Sequence, residues 1–206
     1  MTAISTETDG SFASSTPLDI QIDVLADGTV IDQSSNSDDS QLLADDSGLS
    51  LTGGSGDDYI EGGAGDDILH GGAGNDILVG GLGADILTGD GGADIFKWTL
   101  DSVDDKTDTI TDFSTAEGDA IDLTDVVSDL GNQLPMDQLL ASLAASNQIE
   151  AKVIANTNDV ELDITTDNNV HQTIVVEHLA NQFSFDGMTS IDIVGTLLDN
   201  NIIKHD

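Results

Sequence analysis

GGSGDDYIE (residues 53–61), GGAGDDILH (62–70), GGAGNDILV (71–79) and GGLGADILT (80–88) run head to tail, and a degenerate GDGGADIFK (89–97) follows. Aligned, the five copies all carry Asp at position six: Asp58, Asp67, Asp76, Asp85 and Asp94. Position eight is always large and apolar: Ile60, Leu69, Leu78, Leu87 and Phe96. A fixed short period of this kind is the mark of a stacked solenoid. Glycine at positions one, two and four permits positive φ and close approach of backbones, so each copy forms a tight loop lined with carbonyl oxygens. Positions seven to nine make a strand too short to be stable alone. Two copies therefore close one coil of a right-handed parallel roll, in which a loop stacks on the loop two copies away. Position eight points inward as core. Position seven (Tyr59, Ile68, Ile77, Ile86, Ile95) points outward as an apolar ladder. Either part of residues 98–206 packs over it, or isoleucine stands there for strand propensity alone.

A divalent cation between stacked loops can collect two position-six carboxylates and several carbonyls, an all-oxygen shell of about six donors that suits calcium. The carboxylate pairs are Asp58 with Asp76, Asp67 with Asp85, and Asp76 with Asp94. Backbone carbonyls are expected from Gly53, Ser55, Asp57, Gly62, Ala64, Asp66, Gly71, Ala73, Asn75 and Gly80. About three interior ions follow, with room for one more at an end. Magnesium demands near-ideal octahedral geometry and keeps its water. Zinc is disfavoured by the lack of cysteine and by the scattering of His70, His171, His178 and His205. The fifth copy has Asp90 at position two and Gly91 at position three, so the site it shares departs furthest from the pattern.

The 206 residues hold 40 Asp and Glu against 4 Lys and Arg, a formal net charge of -36. Nucleic acid and anionic membranes, which need a cationic footprint, are excluded as primary partners. No apolar run reaches the ~18 residues of a membrane span, and Met1 to Thr16 lacks the basic and apolar regions of a secretory signal peptide. With no cysteine, disulfides and thiol chemistry are absent. Glu177-His178 does not belong to HExxH and neither Ser50 nor Ser55 to GxSxG, so no catalytic centre is expected.

Outside the repeats, residues 1–50 read as a linker with a short hairpin at 18–32, where Leu18, Ile20, Ile22 and Val24 alternate with polar residues before the Asp27-Gly28 turn. Strands are expected at 108–113, 150–154, 159–165, 172–177 and 201–204. Helices are expected at 136–146, opened by Pro135, and at 191–198. The fold class is all-β dominated: a right-handed parallel β-roll over 53–97, continued by a β-rich region over 98–206 with one or two short helices that packs on the roll.

Residues 53–97 resemble the calcium-binding repeats of RTX proteins. Asp108-Thr-Ile-Thr-Asp-Phe113 with Glu117-Gly-Asp-Ala-Ile-Asp-Leu123 resembles the region after the repeats in C-terminal type I secretion target domains of large bacterial RTX adhesins. The resemblance implies export through a type I channel, read from an uncleaved C-terminal signal, and calcium-triggered folding of a monomer outside the cell, secreted or held at the bacterial surface. Its leading reading is the C-terminal module of an extracellular adhesin that engages the type I secretion machinery. The alternatives are the export tail of an RTX hydrolase or protease, and a free-standing small secreted calcium-binding protein.

Overall fold

If each nine-residue copy contributes one short strand and one loop, successive strands must fall alternately on two sheets, and they do. The computed structural model describes residues 18–21, 30–32, 39–44, 48–129, 148–166 and 169–204. The chain begins with β1 (Leu18–Gln21), β2 (Val30–Asp32), β3 (Ser40–Leu43), β4 (Ser50–Gly54) and β5 (Tyr59–Glu61). It continues through β6 (Ile68–Ala73), β7 (Ile77–Val79), β8 (Ile86–Gly91), β9 (Ile95–Lys97) and β10 (Thr107–Ile110). It ends with β11 (Ala120–Asp122), β12 (Ile149–Val153), β13 (Val160–Thr165), β14 (His171–Val176) and β15 (Ile203–Lys204). Among the described residues, one sheet runs β1-β3-β5-β7-β9-β11-β15 and the other β2-β4-β6-β8-β10-β14-β13-β12. The first is parallel throughout, and the second as far as β14. Parallel crossovers of this kind are right-handed, and the architecture is a mostly β, right-handed parallel roll.

The register has two copies per coil, with Ile60 opposite Leu78 and Leu69 opposite Leu87. Position-eight side chains consequently stack in two inward columns. Leu42, Ile60, Leu78, Phe96 and Ile121 fill one, and Leu51, Leu69, Leu87 and Ile110 the other, all at 0% exposure. Burying a side chain of this size contributes roughly 1.5–3 kcal/mol, so the columns hold the coils together wherever the loops are not strained.

The expected hairpin at 18–32 does not form. β1 pairs in parallel with β3, placing Ile20 opposite Leu42, and β2 pairs in parallel with β4, placing Ile31 opposite Leu51. An isolated two-stranded hairpin is marginal in water, whereas the roll offers each segment a ready edge. The described parts of residues 1–50 are thus strands of the roll rather than linker. The C-terminal region also differs from the expectation. Its described residues extend both sheets end-on through β10 and β11; in the position-seven ladder Ile68 and Ile86 are 40% and 42% exposed, while Tyr59, Ile77 and Ile95 are half-buried.

Past β10 the chain adds the antiparallel β14-β13-β12 ribbon, with Leu162 opposite Ala151 and Ile174. Among the described residues there are two short α-helices, Thr124–Asp129 and Ser190–Asp199. The second buries Ile193, Val194 and Leu197 and closes the end of the roll against β12 and β15. The helix expected at 136–146 lies outside the described residues.

Candidate metal centre

Stacking places the position-six carboxylates in two rows, one beside each sheet. All five are almost wholly buried: Asp58, Asp67, Asp76, Asp85 and Asp94 expose 2% or less. Asp58, the first of its row, differs in that its Oδ2 accepts the Gly54 N–H at 2.7 Å; the others are built alike. Asp76 Oδ1 accepts the Asp58 N–H at 2.7 Å, Asp85 Oδ1 the Asp67 N–H at 2.9 Å, and Asp94 Oδ1 the Asp76 N–H at 2.9 Å. Asp67 Oδ1 takes the Leu49 N–H in the same manner, at 2.7 Å. One carboxylate oxygen therefore reaches back to the preceding coil.

The other oxygen reaches forward. Oδ2 of Asp67, Asp76, Asp85 and Asp94 is buried with no hydrogen-bond partner. Around Gly62, the point a Cβ would occupy lies 2.5 Å from both Asp67 Oδ2 and the carbonyl oxygen of Gly80 in the next coil. The same pair of oxygens, a carboxylate of one coil and a glycine carbonyl of the next, converges on Gly53 (Asp58 and Gly71) and on Gly71 (Asp76 and Gly89). Glycine is required there because any side chain would fill the space that these oxygens rim.

Burial pushes these carboxyls up, the N–H from the neighbouring coil pulls them partly back, and nearby aspartates push them up again. Asp67 and Asp94 reach about 7, Asp76 and Asp85 about 6. A buried carboxylate oxygen with no donor is costly unless a cation meets it. The donor set is all oxygen and hard, which fits calcium rather than zinc or copper. Among the described residues no group of three or more His, Cys, Asp or Glu stands in metal-binding geometry. Each gap between coils offers two carboxylates, and carbonyls must supply much of the remaining shell.

The other residues expected as carbonyl donors lie on the loops around these gaps. Ser55 and Ala73 are exposed at the rim, and Ala64 is half-buried and bridged to Leu82. Asp57, Asp66 and Asn75 are exposed, but their side chains have a role that composition did not reveal. Asp57 Oδ1 accepts the Asn75 N–H at 2.7 Å, Asp66 Oδ1 the Ala84 N–H at 2.9 Å, and Asn75 Oδ1 the Ala93 N–H at 3.0 Å. They form a second, outer row that ties each loop to the next. The histidines described, His70, His171 and His178, sit beside Asp90, Asp163 and Asp159 at 3.3–3.5 Å on the surface, away from the aspartate rows.

Two row members were missed. Asp108 Oδ1 accepts the Asp85 N–H, and Asp119 Oδ1 the Asp94 N–H, each at 3.0 Å. They occupy position six of coils that have no glycine signature. The available signal was the Asp-x-apolar triplet, Asp108-Thr109-Ile110 and Asp119-Ala120-Ile121, which matches Asp85-Ile86-Leu87 and Asp94-Ile95-Phe96. Their outer oxygens are already partnered. Trp98 Nε1–H and Gln172 Nε2–H donate to Asp108 Oδ2 at 2.7 and 2.8 Å, and the Ser114 N–H to Asp119 Oδ2 at 2.8 Å. Burial raises the Asp108 carboxyl to about 7 and shifts Asp119 in the same direction.

Residues 50–78 and 70–96 match the family of the RTX calcium-binding nonapeptide repeat (4 copies). No curated protein matches the chain. Among solved structures, the AlgE6R3 subunit from the Azotobacter vinelandii mannuronan C5-epimerase, determined in solution, is similar at 28% sequence identity. The match covers 80% of this chain and 84% of that one, with a TM-score of 0.48. Over residues 50–96, then, the chain is an RTX-type calcium-binding β-roll.

Proposed function

We propose that the protein is a calcium-driven folding module of a secreted protein, open where calcium is scarce and closed into its roll outside the cell. The observation that carries this reading is the set of buried, partnerless Oδ2 atoms of Asp67, Asp76, Asp85 and Asp94. A net charge of -36 adds self-repulsion that opposes the compact state. Calcium bound between Asp58 and Asp76, Asp67 and Asp85, and Asp76 and Asp94 offsets both terms, and binding to the folded state alone drives folding. Extracellular calcium modules bind at about 10⁻⁴ to 10⁻³ M, far above the free calcium of a cytoplasm.

Circular dichroism in EGTA and through a calcium titration, with magnesium as control, tests the proposal. A cooperative gain of β signal specific to calcium is expected. A chain folded in EGTA and indifferent to calcium would overturn it and leave the repeats as scaffold.

Export through a type I channel follows from the same physics, since such a channel passes an unfolded chain. Its support is the resemblance of residues 108–123 to the region after the repeats in exported RTX proteins. Deleting residues 147–206 is expected to abolish export, and unimpaired export of the truncated chain would remove the assignment. The pairing of β1 and β2 into the sheets makes them part of the module, which suits an adhesin terminus, an RTX export tail and a small secreted calcium-binding protein alike.

A further inference from the structure

The aspartate rows do not end with the glycine repeats. In Asp67, Asp76, Asp85 and Asp94 the Oδ1 atom bonds back to the preceding coil and Oδ2 is left bare. For Asp67 the forward coil holds Asp85 and the Gly80 carbonyl. For Asp85 it holds Asp108, and for Asp94 it holds Asp119. Asp85 and Asp94 are each 1% exposed, and their Oδ2 atoms have no partner. They lie against Gly80 and Gly89 as Asp67 Oδ2 lies against Gly62, but without the next-coil glycine carbonyl that Gly80 supplies beside Gly62. The strands remain in register across the same step, with Leu87 opposite Ile110 and Phe96 opposite Ile121. Two further gaps thus present the carboxylate pair of the interior sites without the glycine loop on the far side.

We propose that two calcium ions bind past the last glycine repeat, one between Asp85 and Asp108 and one between Asp94 and Asp119. The proposal rests on the calcium reading of the repeats. In each added gap Oδ2 of the repeat aspartate is buried without a partner, and Oδ1 of the next aspartate accepts its N–H as it does inside the roll. In place of the missing glycines, other carboxylates hold the neighbouring loop: Asp104 Oδ2 takes the Gly83 N–H at 2.8 Å, and Asp112 takes the Gly89 and Asp90 N–H groups at 3.0 and 2.7 Å. The rows stop one step later for a visible reason. The outward oxygen of Asp108 is closed by Trp98 and Gln172, and that of Asp119 by the Ser114 N–H. Protein donors there satisfy what a cation satisfies inside the roll, and the site number is set by residues beyond the repeat motif.

Equilibrium dialysis of the full chain against calcium, with metal analysis, tests the count. About five ions per chain are expected, three between glycine repeats and two beyond, and Asp108→Asn and Asp119→Asn should each lose one. Three ions in the unmodified chain overturn the proposal while leaving the calcium reading intact; no bound calcium overturns both. Four ions overturn it for the side whose Asn variant leaves the count unchanged. Should a variant fail to fold, terbium provides a readout on the intact chain. Trp98, the sole tryptophan, is one hydrogen bond from Asp108, so terbium between Asp85 and Asp108 should emit on indole excitation and be displaced by calcium. A folded, terbium-loaded chain without that emission overturns the Asp85–Asp108 site.

Discussion

Replacing Asp76 with Asn should shift stability in opposite directions with and without calcium. Asp76 is fully buried, its Oδ1 holds the Asp58 N–H, and its Oδ2 has no partner. Asn keeps the Oδ1 acceptor and removes only the charge. Burial lifts the Asp76 carboxyl from 3.8 to about 6, so holding it ionised in the metal-free roll near neutral pH costs about 3 kcal/mol. Asp76→Asn should therefore raise the stability of the metal-free roll by up to about 3 kcal/mol. With calcium the sign reverses, because Asp76 faces two gaps. Calcium at a hundredfold excess over its dissociation constant contributes about 2.7 kcal/mol per site, so impairing both sites removes up to about 5 kcal/mol. Urea unfolding followed through Trp98, in EGTA and in saturating calcium, measures both limbs. Equal destabilisation in the two conditions would refute the reasoning, since it would make the carboxylate a structural acceptor rather than a cation ligand.

Other outcomes follow from the same geometry. Because the folded-state values of Asp67, Asp76, Asp85 and Asp94 lie above that of an unfolded aspartate, these groups favour the roll fully below about pH 3.8 and lose that contribution as pH rises through about 6 to 7. Circular dichroism in EGTA should thus show β structure returning as pH falls from neutral to about 5, and saturating calcium should flatten the curve. Gly74 has φ +135° and its Cβ would collide with the Gly56 carbonyl, so Gly74→Ala should lower stability by more than about 2 kcal/mol in thermal unfolding. Gly195 in the Ser190–Asp199 helix has open space around it, so Gly195→Ala should gain about 0.5–1 kcal/mol and serves as the contrasting control. Leu78→Ala, at the centre of an inward column and fully buried, should cost about 2–5 kcal/mol by denaturant titration in calcium.

What the sequence disclosed depended on how many constraints coincided at one residue. In 53–97 glycine, aspartate and the apolar position all fall in phase, so the coil, the inward columns and the rows of Asp58 to Asp94 were legible together. Beyond Phe96 the glycines vanish and the spacing stretches. Asp85 and Asp108 are 23 residues apart, and Asp94 and Asp119 25, where the repeats keep 18. A longer loop can still deliver a strand to the next edge, but no period remains to announce it. Residues 18–32 posed the converse problem. Their alternation identified strand character, while the choice between pairing locally and pairing with a coil lies in contacts distant in sequence. The ribbon of β12, β13 and β14 was read correctly as strands for the same reason, and the parallel pairing of β14 with β10 was not. The outer row of Asp57, Asp66 and Asn75 escaped notice because exposed acidic residues are common in so acidic a chain, and only stacking turns them into acceptors for the next loop.

The two ends of each aspartate side chain explain why calcium should act on the roll as a whole. Oδ1 caps the N–H of the coil behind, and Oδ2 waits for a cation shared with the coil ahead, so each Asp joins three consecutive coils of its row. An ion bound between Asp67 and Asp85 fixes the carboxylate that also lines the next gap, and the second ion meets a ligand already placed. Stability in such a stack is a sum of nearest-neighbour terms, and here every such term contains the same shared side chain. Cooperativity then needs no change of shape, only the ordering of the next Asp by the ion before it. Closure at Asp108 by Trp98 and Gln172 fits this scheme, since it supplies one coil of that row whose acceptor is satisfied without metal. That coil is the natural place for ordering to begin, from the C-terminal side toward the repeats. Gln172→Leu, which removes one donor to Asp108 Oδ2, should accordingly raise the calcium needed for half-folding and lower the steepness of the transition; an unchanged calcium curve would mean that the roll orders from its glycine repeats alone.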